Sequence, residues 1–347
     1  MDILERYVAV DDKCAWPNLT LMPDGSILAT IFSEPCHHQW EGGIECWSSR
    51  DGGRTWTFLS VPAPHAPGTN RICAAAGLTN TGAFVVLSTG LTTVAGRGKP
   101  PLPFTPDWLV PMVSRSEDGG KTWTRTEMKI PSQIDYVIPF GDVVKLPGNR
   151  LAFSGYSPEP NDIDRNTAWM FFSDDGGRTW SDTRPIGVDN YNETALLSIG
   201  DGKLLAACRT IRWPDTAANY HREAVEIFAS DDGGQTWKCR GPVSLSKECP
   251  ANLCRLADGS ILLTYGSRLP GALGVHARIS RDEGLTWDAP RVLFSTAARE
   301  SNTNPGGVDG GYPSSVQLDD GTIVTAYYCS RIPMHQRYHM GVVLWRD

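Results

Sequence analysis

The stretch Ser49-Arg-Asp-Gly-Gly-Arg-Thr-Trp56 decides the fold, because its frame, Ser-x-Asp-x-Gly-x-Thr-Trp, returns at Ser116–Trp123, Ser173–Trp180, Ser230–Trp237 and Ser280–Trp287. Repetition at a period of this size marks an array of similar structural units. Each residue type suits a tight turn. Asp and Gly form it, the Ser, Asp and Thr side chains bond its backbone, and the Trp supplies a large apolar anchor against the next sheet. The box is therefore a hairpin lock between the third and fourth strands of a unit. Asp118, Asp175, Asp232 and their equivalents belong to that lock and not to a catalytic or calcium site.

Outward from the boxes runs a second repeat, an apolar strand, a glycine turn and a β-rich strand, first met in Leu19-Thr-Leu-Met-Pro-Asp-Gly-Ser-Ile-Leu-Ala-Thr-Ile-Phe32. It occurs six times, with turn glycines at Gly25, Gly82, Gly148, Gly202, Gly259 and Gly321. Intervals of roughly 55 to 65 residues hold one four-stranded sheet plus its loops, the size of a propeller blade. The expectation is an all-β, six-bladed β-propeller occupying residues 1–347 as one domain. The last blade has no box, so the segment Arg6–Val10 is expected to add the outer strand to the blade begun near Tyr312 and close the ring. Gly96–Pro106, rich in Gly and Pro, reads as a long surface loop between blades.

Composition agrees with short strands and many turns: 35 Gly, 25 Pro and 12 Trp in 347 residues. A net charge of −7 without a basic stretch argues against a nucleic-acid partner. No apolar run approaches the roughly 18 residues of a membrane helix. Nine scattered cysteines without a Cys-x-x-Cys pair fit buried thiols better than a disulfide framework or a zinc site. Cys14, Cys36, Cys46 and Cys73 are expected in the core. The opening Met-Asp-Ile-Leu-Glu-Arg lacks the basic and apolar regions of an export signal, and a cytoplasmic location is the expectation.

Blade geometry then selects residues. Starts of first strands and ends of second strands gather on one face around the central funnel. The first set is Trp16, Asn18, Arg71, Phe140, Asn192, Glu193, Asn252 and Tyr312; the second is His37, His38, Tyr156, Arg209, Arg268 and Tyr327 or Tyr328. Charged groups on inner strands are costly unless used. Their convergence points to a pocket for a polar, anionic ligand.

Boxes plus six hairpins give the whole chain a resemblance to the sialidase (neuraminidase) superfamily. That resemblance implies a retaining glycosidase with a tyrosine nucleophile, an exception to the two-carboxylate scheme. It also implies a glutamate that deprotonates the tyrosine, an aspartate acid/base, and three arginines that grip the substrate carboxylate, with no cofactor. Glu193 and Arg209, in Asn192-Glu-Thr-Ala-Leu-Leu-Ser-Ile-Gly-Asp-Gly-Lys-Leu-Leu-Ala-Ala-Cys-Arg209, are similar to the family's glutamate and second arginine. Tyr312 is similar to the nucleophile, and Arg268 to the third arginine. Where the family shows Arg-Ile-Pro, this chain reads Ala15-Trp16-Pro17-Asn18, and Arg71 stands one blade on as a substitute. Glu41, His37 and His38 compete for the acid/base role. Trp16 is a sugar platform or a blade contact, and Asn18, Asn252 and Tyr156 complete the expected substrate contacts. A carbohydrate substrate is implied. Besides an exo-sialidase, the residues leave open a lyase or histidine-dependent glycosidase on uronic-acid glycans, and a non-catalytic carbohydrate-binding propeller.

Overall fold

The computed structural model describes residues 1–93, 107–159, 162–211, 223–296, 309–332 and 335–347, with backbone alone for 159 and 162–164. The Gly96–Pro106 loop lies outside the described residues.

The structure is all-β. Strand β1 (Asp2–Asp11) is followed by the meander β2 (Ala15–Leu21), β3 (Ile27–Phe32), β4 (Ile44–Ser49) and β5 (Thr57–Ala63). The second meander is β6 (Ile72–Leu78), β7 (Phe84–Leu91), β8 (Trp108–Ser116) and β9 (Thr124–Glu127). The third is β10 (Ile138–Lys145), β11 (Leu151–Glu159), β12 (Asp162–Ser173) and β13 (Asp182–Gly187). The fourth is β14 (Tyr191–Gly200), β15 (Lys203–Thr210), β16 (Val225–Ser230) and β17 (Lys238–Pro242). The fifth is β18 (Glu248–Arg255), β19 (Ile261–Ser267), β20 (Gly274–Ser280) and β21 (Arg291–Ser295). Last come β22 (Asp309–Gln317), β23 (Ile323–Ser330) and β24 (His339–Arg346), with β1 antiparallel to β24 as the fourth strand of that sheet.

These meanders form five hydrogen-bonded sheets among the described residues, not the six separate ones the repeat predicts. The second and third join as one eight-stranded sheet through a short parallel ladder, Ala75 to Gly141 and Ala76 to Asp142. Close approach is possible because the facing residues are small. A Cβ on Gly77 would stand 2.6 Å from the Val143 carbonyl oxygen, and Gly141 takes φ 74° where β10 shifts register between Phe140 and Val144. The innermost strands β2, β6, β10, β14, β18 and β22 touch in cyclic order, β22 returning to β2.

The boxes bond as their sequence predicts. Asp175 Oδ1 accepts from the Ser173 hydroxyl at 2.8 Å and from the main-chain N–H of Arg178 and Thr179 at 3.0 and 2.9 Å, while Oδ2 accepts from the Thr179 hydroxyl at 2.7 Å. One correction concerns direction: the box tryptophans pack toward the preceding sheet, not the next. Trp180 shares a core with Val85 and Leu87 of β7, Trp237 with Met170 and Phe172 of β12, and Trp287 with Leu205 and Ala207 of β15. The second box glycine explains it. A Cβ on Gly177 would meet Val85 Cγ2 at 2.9 Å and one on Gly284 would meet Leu205 Cδ1 at 2.8 Å, so these turns press against the sheet behind them.

Candidate active site

All six innermost strands break register near their starts: between Ala15 and Asn18, Ile72 and Ala74, Phe140 and Val144, Tyr191 and Thr194, Glu248 and Ala251, and Gly311 and Ser314. A bulge re-aims the side chains beside it. Besides Ala15 (φ 70°), three residues at these breaks hold left-handed backbone without being glycine: Trp16 (φ 45°), Cys73 (φ 46°) and Tyr312 (φ 51°). Each such conformation costs on the order of 1–3 kcal/mol and persists only where the surroundings enforce it. All three line one cavity of about 420 Å³, together with Asn18, His37, His38, Trp108, Tyr136, Phe140, Tyr156, Asn166, Glu193 and Asn252.

At its centre Glu193, a buried carboxylate, accepts from two donors. Tyr312 Oη donates to Oε1, and Arg209 Nη1 donates to Oε2 at 2.5 Å. Burial first, and then the negative charge of Glu193, raise the Tyr312 phenol well above its ordinary value, against the pull of Arg209 and Arg268. The phenol is held protonated, with a carboxylate oxygen already in place to take its proton. Burial works against the charge on Arg209, but its bond to the Glu193 carboxylate more than offsets this and keeps the guanidinium protonated. Arg268 lies 6.0 Å from the Tyr312 ring centre and donates to the Cys249 carbonyl at 2.9 Å. Both arginines therefore sit behind Tyr312 and Glu193. Among the described residues, no lysine or arginine lines the cavity.

Trp16 forms one wall. It stacks on Phe32 at 5.6 Å, meets His37 edge-on at 5.0 Å and faces Tyr312 at 6.3 Å. Its Nε1 is buried without a hydrogen-bond partner. Behind His37 is a tight polar cluster. Its Nε2 lies 2.6 Å from Asp309 Oδ2, and the hydroxyls of Tyr328 and Tyr338 donate to Asp309 at 2.9 and 2.6 Å. Burial pushes the Asp309 carboxyl up, but His37 and the two tyrosines more than offset this and hold it at about 2.

The floor is amide-rich. Asn18 Nδ2 donates to Gly141 O at 2.8 Å and to Asp142 Oδ1 at 2.9 Å, and Asn252 Nδ2 donates to Asp142 Oδ2 at 3.2 Å. Burial lifts Asp142 to about 6 although both asparagines favour its charged form. Burial, then the charge of Glu193, raise the Tyr156 phenol.

Two of the expected residues are elsewhere. Arg71 donates to the Val110 carbonyl at 2.7 Å, and Glu41 accepts from the Gly68 N–H; neither lines the cavity. His38 reaches the rim and is exposed. Sequence reasoning missed Asp309, three residues before Tyr312, because β22 begins ahead of the apolar pattern that marks the hairpin. It also missed the Trp108–Tyr136 stack, with ring centres 4.6 Å apart. Those residues lie outside the hairpin repeat, and nothing in its register points to them.

Residues 109–325 match the family described as BNR repeat-like domain. A sialidase of Micromonospora viridifaciens is 27% identical over 379 residues, covering 93% of this chain and 52% of its own length; the chain spans about half the length of the curated sialidases it matches. Among solved structures, a protein of unknown function from Dyadobacter fermentans superposes with a TM-score of 0.78 at 23% identity over 99% of both chains. A Hadza microbial sialidase superposes with a TM-score of 0.71 at 20% identity, covering 96% of this chain and 65% of that one.

Proposed function

From a chain that belongs to the BNR repeat-like family within the sialidase superfamily, we propose a glycoside hydrolase that releases a terminal sugar through a tyrosyl intermediate. The observation that carries this reading is the contact of a half-buried phenol with a buried carboxylate, Tyr312 with Glu193, at the wall of a sugar-sized cavity. A phenol is a poor nucleophile until a base removes its proton. Glu193 is that base, and Arg209 keeps the carboxylate oriented and offsets the negative charge gathered there. In this reading the six meanders are six blades of one propeller, with the cavity at the mouth of its channel. No cofactor is needed.

An acidic sugar, sialic acid or a relative, is the leading substrate class, with Arg209 and Arg268, set behind the tyrosine, favouring its carboxylate by their charge and not by direct contact. A second reading, a sugar without a free carboxylate, is favoured by a specific feature. Trp16 stands where the family carries its first arginine, and the described wall offers aromatic faces without a cation. The test is release of 4-nitrophenol from an α-sialoside and from a panel of neutral aryl glycosides by the wild type and Tyr312→Phe. Turnover that falls by on the order of 10⁴ in the variant supports the nucleophile. Unchanged turnover in Tyr312→Phe removes the assignment, and the sugar that reacts decides between the two substrate classes.

A further inference from the structure

A tyrosine nucleophile and its base account for only half of a retaining cleavage. The leaving oxygen needs a proton, and the water that follows must lose one. Three side chains compete by position. Glu41 is engaged with the Gly68 N–H and lies off the cavity. His38 is exposed and has no carboxylate partner among the described residues. His37 differs from both. Its ring lines the cavity, about one third of its side chain is exposed, and its Nε2 is bound at 2.6 Å to a carboxylate that is itself 3% exposed. The edge contact with Trp16 at 5.0 Å fixes the ring plane, and Trp16 in turn faces Tyr312.

We propose that His37, oriented by Asp309, is the general acid and base of this active site, an inference that rests on the tyrosyl-glycosidase reading above. The hydrogen bond from Nε2–H to Asp309 leaves Nδ1 as the working nitrogen. It carries no hydrogen bond among the described residues. With the imidazole protonated, Nδ1–H gives its proton to the glycosidic oxygen as that carbon–oxygen bond breaks. The Tyr312 oxygen bonds to the anomeric carbon, and its own proton passes to Glu193. In the second step neutral Nδ1 takes a proton from water, whose oxygen bonds to the anomeric carbon as the tyrosyl bond breaks, and Glu193 returns its proton to the phenolate. Protons and electron pairs balance over the two steps, and both side chains return to their starting states. Asp309 is a positioning residue. Tyr328 and Tyr338 hold it, and it stays ionised throughout, consistent with the low value that its donors impose.

Leaving-group dependence tests the assignment. Two glycosides of the sugar that the wild type turns over are compared, one releasing 4-nitrophenol and one releasing methanol. The activated phenol departs without a proton, whereas methanol does not. His37→Ala is expected to lose about 10²- to 10³-fold in kcat/KM on the methyl glycoside and less than about tenfold on the nitrophenyl one, with imidazole restoring part of the loss. His37→Gln keeps a donor to Asp309, and so the fold, and is expected to show the same selectivity. Asp309→Asn is expected to lose kcat in the same leaving-group pattern, about tenfold, with KM unchanged. Equal losses on both glycosides, or no loss in His37→Gln, would overturn the role of His37. A wild type that cleaves no glycoside overturns the hydrolase reading itself, whereas Tyr312-dependent turnover indifferent to His37 overturns this inference alone.

Discussion

Arg209→Ala tests whether the centre of the site is a buried ion pair or a surface one. The Arg209 side chain is 16% exposed and that of Glu193 8%, and their atoms meet at 2.5 Å. Removing the arginine leaves Glu193 as a buried charge with Tyr312 as its remaining donor. Breaking such a pair costs about 3–5 kcal/mol, whereas an exposed pair is worth ~1 kcal/mol or less. An unfolding entropy of ~2.1 cal/mol/K per residue gives about 0.7 kcal/mol/K for a chain of this length, so the expected fall in Tm is about 4–7 °C. Glu193→Gln in the same background removes the stranded charge. A double-mutant cycle from urea unfolding should therefore show a coupling of about 1–3 kcal/mol, the double variant being more stable than Arg209→Ala alone. A loss below ~1 kcal/mol, or a double variant no more stable than Arg209→Ala, would refute the buried-pair account.

Two further outcomes follow from named groups. Asp142 has a folded value of about 6, above its unfolded value near ~4. Its stabilising contribution is therefore present below ~4 and lost as pH rises through 6. Asp232 and Asp282, held at about 2 chiefly by the hydroxyls of Thr236 and Thr286, act oppositely and lose theirs as pH falls from ~4 through 2. Because His38 and His339, both lowered by desolvation, lose stability as pH falls over the same range, the variant Asp142→Asn isolates Asp142. The urea midpoint of the wild type relative to that of Asp142→Asn should rise as pH falls from 6 to ~4, and a difference flat over that range would contradict this. Among thiols, Cys239 is exposed, whereas Cys73 lines the cavity with its thiol pushed up to about 12 by burial and then by Glu193. A native disulfide-exchange titration at pH 8 should show a fast thiol that disappears in Cys239→Ser and persists in Cys73→Ser; fast labelling that survives in Cys239→Ser would show the assignment to be mistaken.

What was legible in the sequence was local. The box turn is fixed by an Asp, a Ser and a Thr within seven residues, and the hairpins by a glycine between two apolar strands, so both survive as pattern. Tyr312 and Glu193, 119 residues apart, could be paired because each lies near the start of an inner strand. The parallel join of β6 to β10 could not. It depends on the absence of side-chain bulk at Gly77 and on a bulge at Gly141, and neither distinguishes a sheet junction from any other small residue. Arg71 misleads for a related reason. It lies just outside β6, beside the break at Ile72–Ala74, and its guanidinium finds a main-chain carbonyl on β8 instead of the funnel.

Trp16 ties these points together, because one substitution alters several elements of the site at once. A left-handed backbone at φ 45° turns its ring onto Phe32, His37, Tyr312 and Tyr328. An arginine there would place a cation beside the imidazole that Asp309 holds. An indole carries no charge and orients the imidazole by edge contact. Under the proposed mechanism the two features belong together: Trp16 is the face against which the sugar ring stacks, and His37 beside it is the group from which the proton is delivered.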